Sequence, residues 1–372
     1  MKIAMIGPTF PFRGGIVHHT TLLYKELIKH NELLFISFKR QYPKVLFPGK
    51  SDQDPSRDPL KPEKVFYEID SLNPLTLENT IKMIKAFAPE KCIFPWWVSF
   101  WGPHFWYIAT RVKKLTNCEI IVICHNVMEH EPNRLKNFVS KLFLSKADRL
   151  ITHSKSDSFR LKDLLGKKRI VTAFHPTYAP LCHEKYFPKK KAQDRLMCPG
   201  SNVLLFFGFV RPYKGLSILL SALNIICESQ TIHLLVVGEF WTDKQKYLAK
   251  IDQLGIKNQV SIFDRYIPNE NIHIFFSAAD LVVQPYLSAS GSGVCQLAYG
   301  FDCPVIATKM GSLTEVVEHG VNGQLVTPGN VKELADAIIQ SLEPETLDYL
   351  TQNAMKTKNL FSWNKFVNNI ID

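Results

Sequence analysis

Two cations leave an apolar run together in "FFGFVRPYKGLSILLSAL", where Arg211 and Lys214 fall as a strand pattern gives way to a helical one. Cations held there lose hydration unless an anion arrives, so the pair reads as an anion site; the competing reading pairs one of them with a helix C-terminus. A second candidate is "IGPTFPFRGGIVHHT", which sets Gly14 and Gly15 between the first apolar run and the first amphipathic stretch. A helix N-terminus at that point can approach a phosphate closely, although glycine turns of this kind also occur with no ligand. In "SASGSG" and the residue after it, Ser292, Gly293 and Val294 offer backbone N–H groups at another helix start. Metal chemistry has little support. The D-x-D pattern occurs only as "DQD" at 52–54 in a Pro-rich loop, the eight cysteines contain no C-x-x-C, and the expectation is no metal and no cofactor.

These residues need elements to hold them. Short β-rich runs alternate with longer amphipathic stretches, from "KIAMIG" to "DRLITHS" and again from "VLLFFGFV" to "CPVIATKM". Strand, helix, strand at this spacing predicts parallel sheets with crossover helices. The pattern breaks at "HPTYAPLCHEKYFPKKKAQDRLMCPGSN", rich in Pro and Lys. The expected organisation is an α/β chain of two doubly wound Rossmann-like domains facing across a cleft: 1–175, a linker at 176–202, and 203–357. A C-terminal helix at 358–372 packs back on either lobe, the N-terminal one being the choice.

Charge is divided unevenly. Residues 1–200 carry 33 Lys and Arg against 18 Asp and Glu, while residues 201–372 carry 12 against 16, so the net charge of +11 belongs to the first half. Scattered lysines are commonly just a solvated surface; no nucleic-acid module signature is present, which leaves an anionic membrane as the sharper reading. The stretch from Cys92 to Thr110 has no Lys, Arg, Asp or Glu and holds four of the six tryptophans, but Pro95, Gly102 and Pro103 break any single helix. Core packing accounts for about half of these rings. Trp96 and Trp97, at a strand's C-terminal end, are expected to open toward the cleft as an acceptor-side surface. The apolar start "MKIAMIG" reads as a first strand rather than a signal peptide, and the cysteines as reduced, so a cytoplasmic location is expected, peripheral at the inner membrane face.

Taken in order, "GGIVHH", "CHN" at 124–126, "ITHS" at 151–154, "FGFVRPYKG", "VVGEF", "SAADLVVQPY" and "PVIATKMGSLTEVVEHGVNGQLV" span nearly the whole chain. Together they resemble the retaining glycosyltransferases of the two-Rossmann (GT-B) architecture, family 4. The resemblance implies that Gly15 faces donor phosphates, that His125 contacts the transferred sugar, and that Lys214 binds the diphosphate. The family's Arg stands five residues before that Lys, where this chain has Phe209; Arg211 is the substitute. Gly238 opens the nucleotide-side loop, with Phe240 replacing the family's second glycine. Glu315 fits the pattern and reads as a helix-start carboxylate. Two family glutamates, eight positions apart, align at Ala289 and Leu297, so both acids are missing; Gln296, one residue early, is the candidate for the ribose. A small-residue helix start packed on the neighbouring strand accounts for Gln296 almost as well.

The implied function is a metal-independent retaining transferase that moves a hexose from a nucleoside diphosphate sugar to a glycan or lipid-linked acceptor. Two other readings stay open on these residues: a non-catalytic lectin-like homologue, and a sugar-nucleotide epimerase or hydrolase on the same architecture.

Overall fold

The structure, a computed structural model, describes residues 1–43, 49–127, 134–182, 187–198, 200, 202–288 and 291–371. The chain divides into two compact units. One holds Met1–Asp54, Pro59–His175 and Trp363–Asp372; the other holds Pro55–Asp58 and Pro176–Ser362.

The first unit is built on seven parallel strands: β1 (Lys2–Ile6), β2 (Glu32–Arg40), β3 (Phe66–Asp70), β4 (Lys91–Trp96), β5 (Glu119–Cys124), β6 (Arg149–Thr152) and β7 (Arg169–Thr172). They lie in the order β3-β2-β1-β4-β5-β6-β7. β1 and β5 are almost continuously apolar because helices cover both faces of a parallel sheet. The two edges of this sheet are chemically different. At the N-terminal edge Glu119 accepts from Lys91 at 2.7 Å and from the buried Arg149 at 2.9 Å. Burial pushes the Glu119 carboxyl up, and these two partners more than offset it, so it sits below the usual carboxylate range. That edge is a structural clasp. The C-terminal edge carries the glycine loop and the histidines, as the switch in strand order between β1 and β4 leads one to expect.

Trp96 does not open to a surface. It is 2% exposed and packs on Phe143 at 5.3 Å between ring centroids, because alternation along β4 puts Phe94 and Trp96 on the same covered face. Trp97 is half-buried against the same core and donates Nε1–H to the Tyr42 hydroxyl at 2.8 Å. Its indole N–H, the group that would greet a sugar, is therefore already engaged.

The second unit has six parallel strands, β8 (Asn202–Phe207), β9 (Ile232–Val237), β10 (Val260–Phe263), β11 (Leu281–Gln284), β12 (Val305–Thr308) and β13 (Gly323–Val326), in the order β10-β9-β8-β11-β12-β13. Its crossover helix Leu216–Ile226 buries Leu216, Leu219, Leu220, Leu223 and Ile226 on one stripe. Residues 176–202 are no linker. Within them the helix Lys189–Arg195 buries Ala192 and Gln193, and Gln193 Nε2 donates to the Ala278 carbonyl at 3.3 Å. Lys189 pairs with the buried Asp280, whose other oxygen accepts from Val203 N at 2.8 Å. The lysine-rich composition belongs to the outer face of this helix. The C-terminal segment also divides differently from the expected 358–372: helix Pro344–Leu360 ends in the second unit, and a separate helix, Trp363–Ile371, belongs to the first. The latter buries Trp363, Phe366, Val367 and Ile370, a one-sided apolar face that must pack on something.

Candidate functional site

In the second unit the site grows from the switch between β8 and β11. The chain leaves β8 through Gly208 and passes Phe209 and Arg211 into a single 3-10 turn, Pro212–Lys214. Lys214 folds back over this exit: a Cβ on Gly208 would lie 3.0 Å from Lys214 Nζ and 3.5 Å from Val294 Cγ2. Gly208 thus lets the ammonium and the start of helix Gly293–Gly300 share one small volume. Gly238, after β9, presses on Gly208 from the other side; a Cβ there would stand 2.2 Å from the Gly208 carbonyl oxygen, at φ +143°. Its absence of a side chain is a packing requirement before it is anything else.

Burial pulls the Lys214 ammonium down from 10.5 to about 8, and the neighbouring Arg211 charge adds to the effect. Lys214 Nζ lies 5.6 Å from the Tyr286 ring centroid, and the Arg211 guanidinium 4.6 Å from that of Trp241, which stacks on Phe209 at 4.1 Å. Among the described residues neither cation has a carboxylate within 4 Å. Aromatic faces hold the charges in place without neutralising them.

Helix Gly293–Gly300 begins at Ser292, whose hydroxyl accepts from Cys295 N at 3.4 Å and so caps it. The N–H groups of Gly293 and Val294, in the first turn, have no intrahelical acceptor. Ser292 is thereby a cap, and its side chain is spoken for. Gly293 lies against Tyr178, whose Cε2 would be 3.3 Å from an added Cβ. Gln296 is 1% exposed, inside rather than on a surface, and neither Nε2 nor Oε1 has a hydrogen-bond partner. Leu297 is buried, and Ala289 lies outside the described residues. An uncompensated interior amide costs about 1–3 kcal/mol. The variant Gln296→Met, similar in volume, should therefore raise Tm in a thermal melt; a fall in Tm would show that the amide is satisfied in solution.

In the first unit Gly14 caps the helix Gly15–Leu27, whose first turn carries no acidic residue, so the two glycines stand at a helix N-terminus as the sequence indicates. His125 directly follows β5 and is held by its N–H to the Trp96 carbonyl at 2.8 Å. Its ring is part of a set that spacing alone did not single out: His19 in the first helix, His153 just after β6 and His175 beyond β7. The available signal was that three of the four follow apolar strands at the same sheet edge. Burial, and then the neighbouring imidazoles, keep His19, His125 and His153 uncharged, His125 down to about 3.

Neutrality fixes the tautomers. His153 Nδ1 lies 3.2 Å from the Ala173 carbonyl, which can only accept, so Nδ1 carries the proton and Nε2 a lone pair. That lone pair accepts from His125 Nδ1 at 3.2 Å, so the proton of neutral His125 is on Nδ1. His125 Nε2, buried and without a partner, is left as an acceptor. Such a nitrogen can take a hydroxyl proton in a hydrogen bond, or bind a metal.

Two units, each a parallel Rossmann-like sheet covered by helices, give the GT-B class of architecture. Solved structures share that fold along the full chain: Anabaena HepE in complex with UDP has TM-score 0.77 at 21% identity, covering 100% of this chain and 98% of that one. Sucrose-phosphate synthase from Thermosynechococcus elongatus has TM-score 0.72 at 19% identity, covering 98% and 96%. Residues 189–357 match the model of the family glycosyl transferases group 1. Among curated relatives, the D-inositol 3-phosphate glycosyltransferase of Acidothermus cellulolyticus is 27% identical over 238 residues, 61% of this chain and 53% of that protein. That of Segniliparus rotundus is 32% identical over 171 residues, 44% of this chain and 38% of that protein. The matched regions span about half or less of the length of these relatives.

Proposed function

We propose that the chain transfers a hexose, with retention, from a nucleoside diphosphate sugar to a glycan or lipid-linked acceptor. The observation that carries this reading is Lys214, an ammonium with its basicity lowered by burial, lacking a carboxylate among the described residues, set beside a helix start. A diphosphate supplies the missing charge. As the glycosidic C–O bond breaks, negative charge grows on the departing diphosphate oxygen, where Arg211, Lys214 and the amides of Gly293 and Val294 stabilise it. The acceptor oxygen bonds to the same carbon on the face the diphosphate leaves, and its proton passes to the departing diphosphate. The diphosphate is neutralised by side chains, so turnover proceeds with no added Mg²⁺ or Mn²⁺.

The HepE complexes hold UDP and UDP-glucose, which favours uridine donors as the first to try. Thermal shift against UDP-, GDP- and ADP-sugars, followed by turnover with and without acceptor, tests the proposal. Acceptor-dependent release of nucleoside diphosphate supports it. Donor cleavage without acceptor would point to a hydrolase, and no binding of any nucleoside diphosphate sugar at millimolar concentration to a lectin-like homologue.

An acceptor carried on lipid requires the protein to reach a membrane, and we assign that contact to the first unit. Among the described residues no helix is long and apolar enough to cross a membrane. The helix Arg134–Leu144 leaves Leu135 71% and Phe138 64% exposed, interleaved with Arg134, Lys136 and Lys141. Apolar side chains ringed by cations suit an anionic interface at the inner membrane face, each cation contributing on the order of 1 kcal/mol at low salt. Flotation with anionic liposomes should recover the protein, and Leu135→Ser with Phe138→Ser should weaken recovery severalfold. Equal recovery on neutral vesicles at low and high salt would sink the idea.

A further inference from the structure

Each of His19, His125, His153 and His175 places a ring nitrogen within 4.8 Å of those of the other three, all inside the first unit. Ring centroids are 4.5 Å apart for His19 and His125, 4.9 Å for His125 and His153, 4.8 Å for His153 and His175, and 5.0 Å for His19 and His175. Four imidazoles so gathered are a poor way to fill a core. His19 is 1% exposed, and its Nε2 meets no partner although Trp363 and Phe366 pack around the ring at 5.1 and 5.3 Å. Apolar side chains would fill the same volume without an orphaned nitrogen. The arrangement is costly unless something binds it.

We infer that these four histidines form a binding site for a divalent transition metal of the zinc class. Imidazole nitrogen is a borderline donor that suits zinc, copper and nickel and has little to offer magnesium or calcium. With Zn–N bonds of about 2.0–2.1 Å, tetrahedral ligands lie roughly 3.4 Å apart. His125 Nδ1 and His153 Nε2 already stand 3.2 Å apart, and a separation of at most 4.8 Å leaves at most about 1.4 Å of closure to that tetrahedral spacing, within reach of side-chain rotation. The outer contact of a metal-bound histidine is also in place, since His153 donates Nδ1–H to the Ala173 carbonyl and so aims Nε2 inward.

The proton balance closes. Without metal, His125 Nδ1–H is shared with His153 Nε2; on binding, both of these nitrogens turn their lone pairs to the metal, and the His125 proton moves to its Nε2. No proton is released from this pair. His125 then presents an N–H donor at Nε2 where the metal-free ring presents an acceptor. The metal would also tie the first helix to the ends of three strands.

The test uses the full chain with any polyhistidine tag removed, stripped with chelator and titrated with Co²⁺ and then Zn²⁺. One equivalent of Co²⁺ should bind with the visible bands of four-coordinate cobalt and without a thiolate charge-transfer band, should be displaced by Zn²⁺, and saturating Zn²⁺ should raise Tm. His19→Phe and His175→Gln should each weaken binding roughly tenfold or more, since even outer-shell losses cost that much. His19→Phe keeps the aromatic packing; if it fails to fold, His175→Gln, at a half-buried position, carries the test alone. Wild-type protein that binds no Co²⁺ or Zn²⁺ at tenfold excess overturns the assignment, as does unchanged binding in the folded variants. No donor or acceptor enters this measurement, so its outcome is independent of whether the chain transfers sugar.

Discussion

Lys214→Met should lose roughly a hundredfold or more in transfer rate while melting at a higher temperature than wild type at pH 7. The rate loss follows from removing one cation from the charge that develops on the leaving diphosphate, a change comparable to deleting an oxyanion donor. The stability gain follows from linkage. Lys214 binds its proton less tightly in the folded chain, at about 8, than in the unfolded chain, near 10.5. Between those values the unfolded state holds more protons, so wild-type stability rises with pH across that window, and below pH 8 the folded state bears the full penalty. The gain in Tm should therefore be greatest at neutral pH and fade toward pH 10.5. Donor affinity should move the other way. A diphosphate prefers the ammonium, so wild-type affinity falls as pH climbs through 8, whereas Lys214→Arg keeps its charge and shows a flat profile. A turnover assay, calorimetry of donor binding from pH 6.5 to 9.5 and thermal melts of the same variants read these three effects. A folded Lys214→Met protein with normal turnover would remove Lys214 from the site.

Gly238→Ala should fail differently, through the fold. Its new Cβ would sit 2.2 Å from the Gly208 carbonyl oxygen and 2.6 Å from the Gly208 carbonyl carbon, at φ +143°, where a side chain is strained even in open space. Neither backbone can withdraw easily, because Gly238 donates to the Phe263 carbonyl and Gly208 to the Val237 carbonyl, tying both to strand ends. A loss of about 4 kcal/mol is expected, a large part of the 5–15 kcal/mol typical of a whole domain. Chemical denaturation followed in the second unit should show its midpoint falling with little change in slope. A stable Gly238→Ala protein with only a weakened donor KM would instead make this glycine a nucleotide contact.

Much of the architecture was legible because its physics is local. Alternating β-rich runs and amphipathic stretches specify parallel sheets, and Arg211 and Lys214 announce themselves as cations at a strand exit whatever surrounds them. Several assignments were not local. Residues 176–202 have the composition of a linker, yet one buried carboxylate, Asp280, recruits Lys189 and holds the short helix to the second unit. Trp96 is the last residue of its strand and Trp97 follows it, and only the pleat, with Phe143 waiting on one side, sends the first into the core. Gln296, one residue from the aligned family glutamate, reads as a ribose contact, with a packed helix start as the other reading; the helix Gly293–Gly300 turns it inward. The histidines show the division most clearly. His125 is recognisable from its strand end, but His19, His153 and His175 stand far from it along the chain, at spacings that match no ligand motif. Parallel strand order brings three of these positions to one edge, and the first helix lays the fourth across them, a meeting that exists only once the sheet has formed.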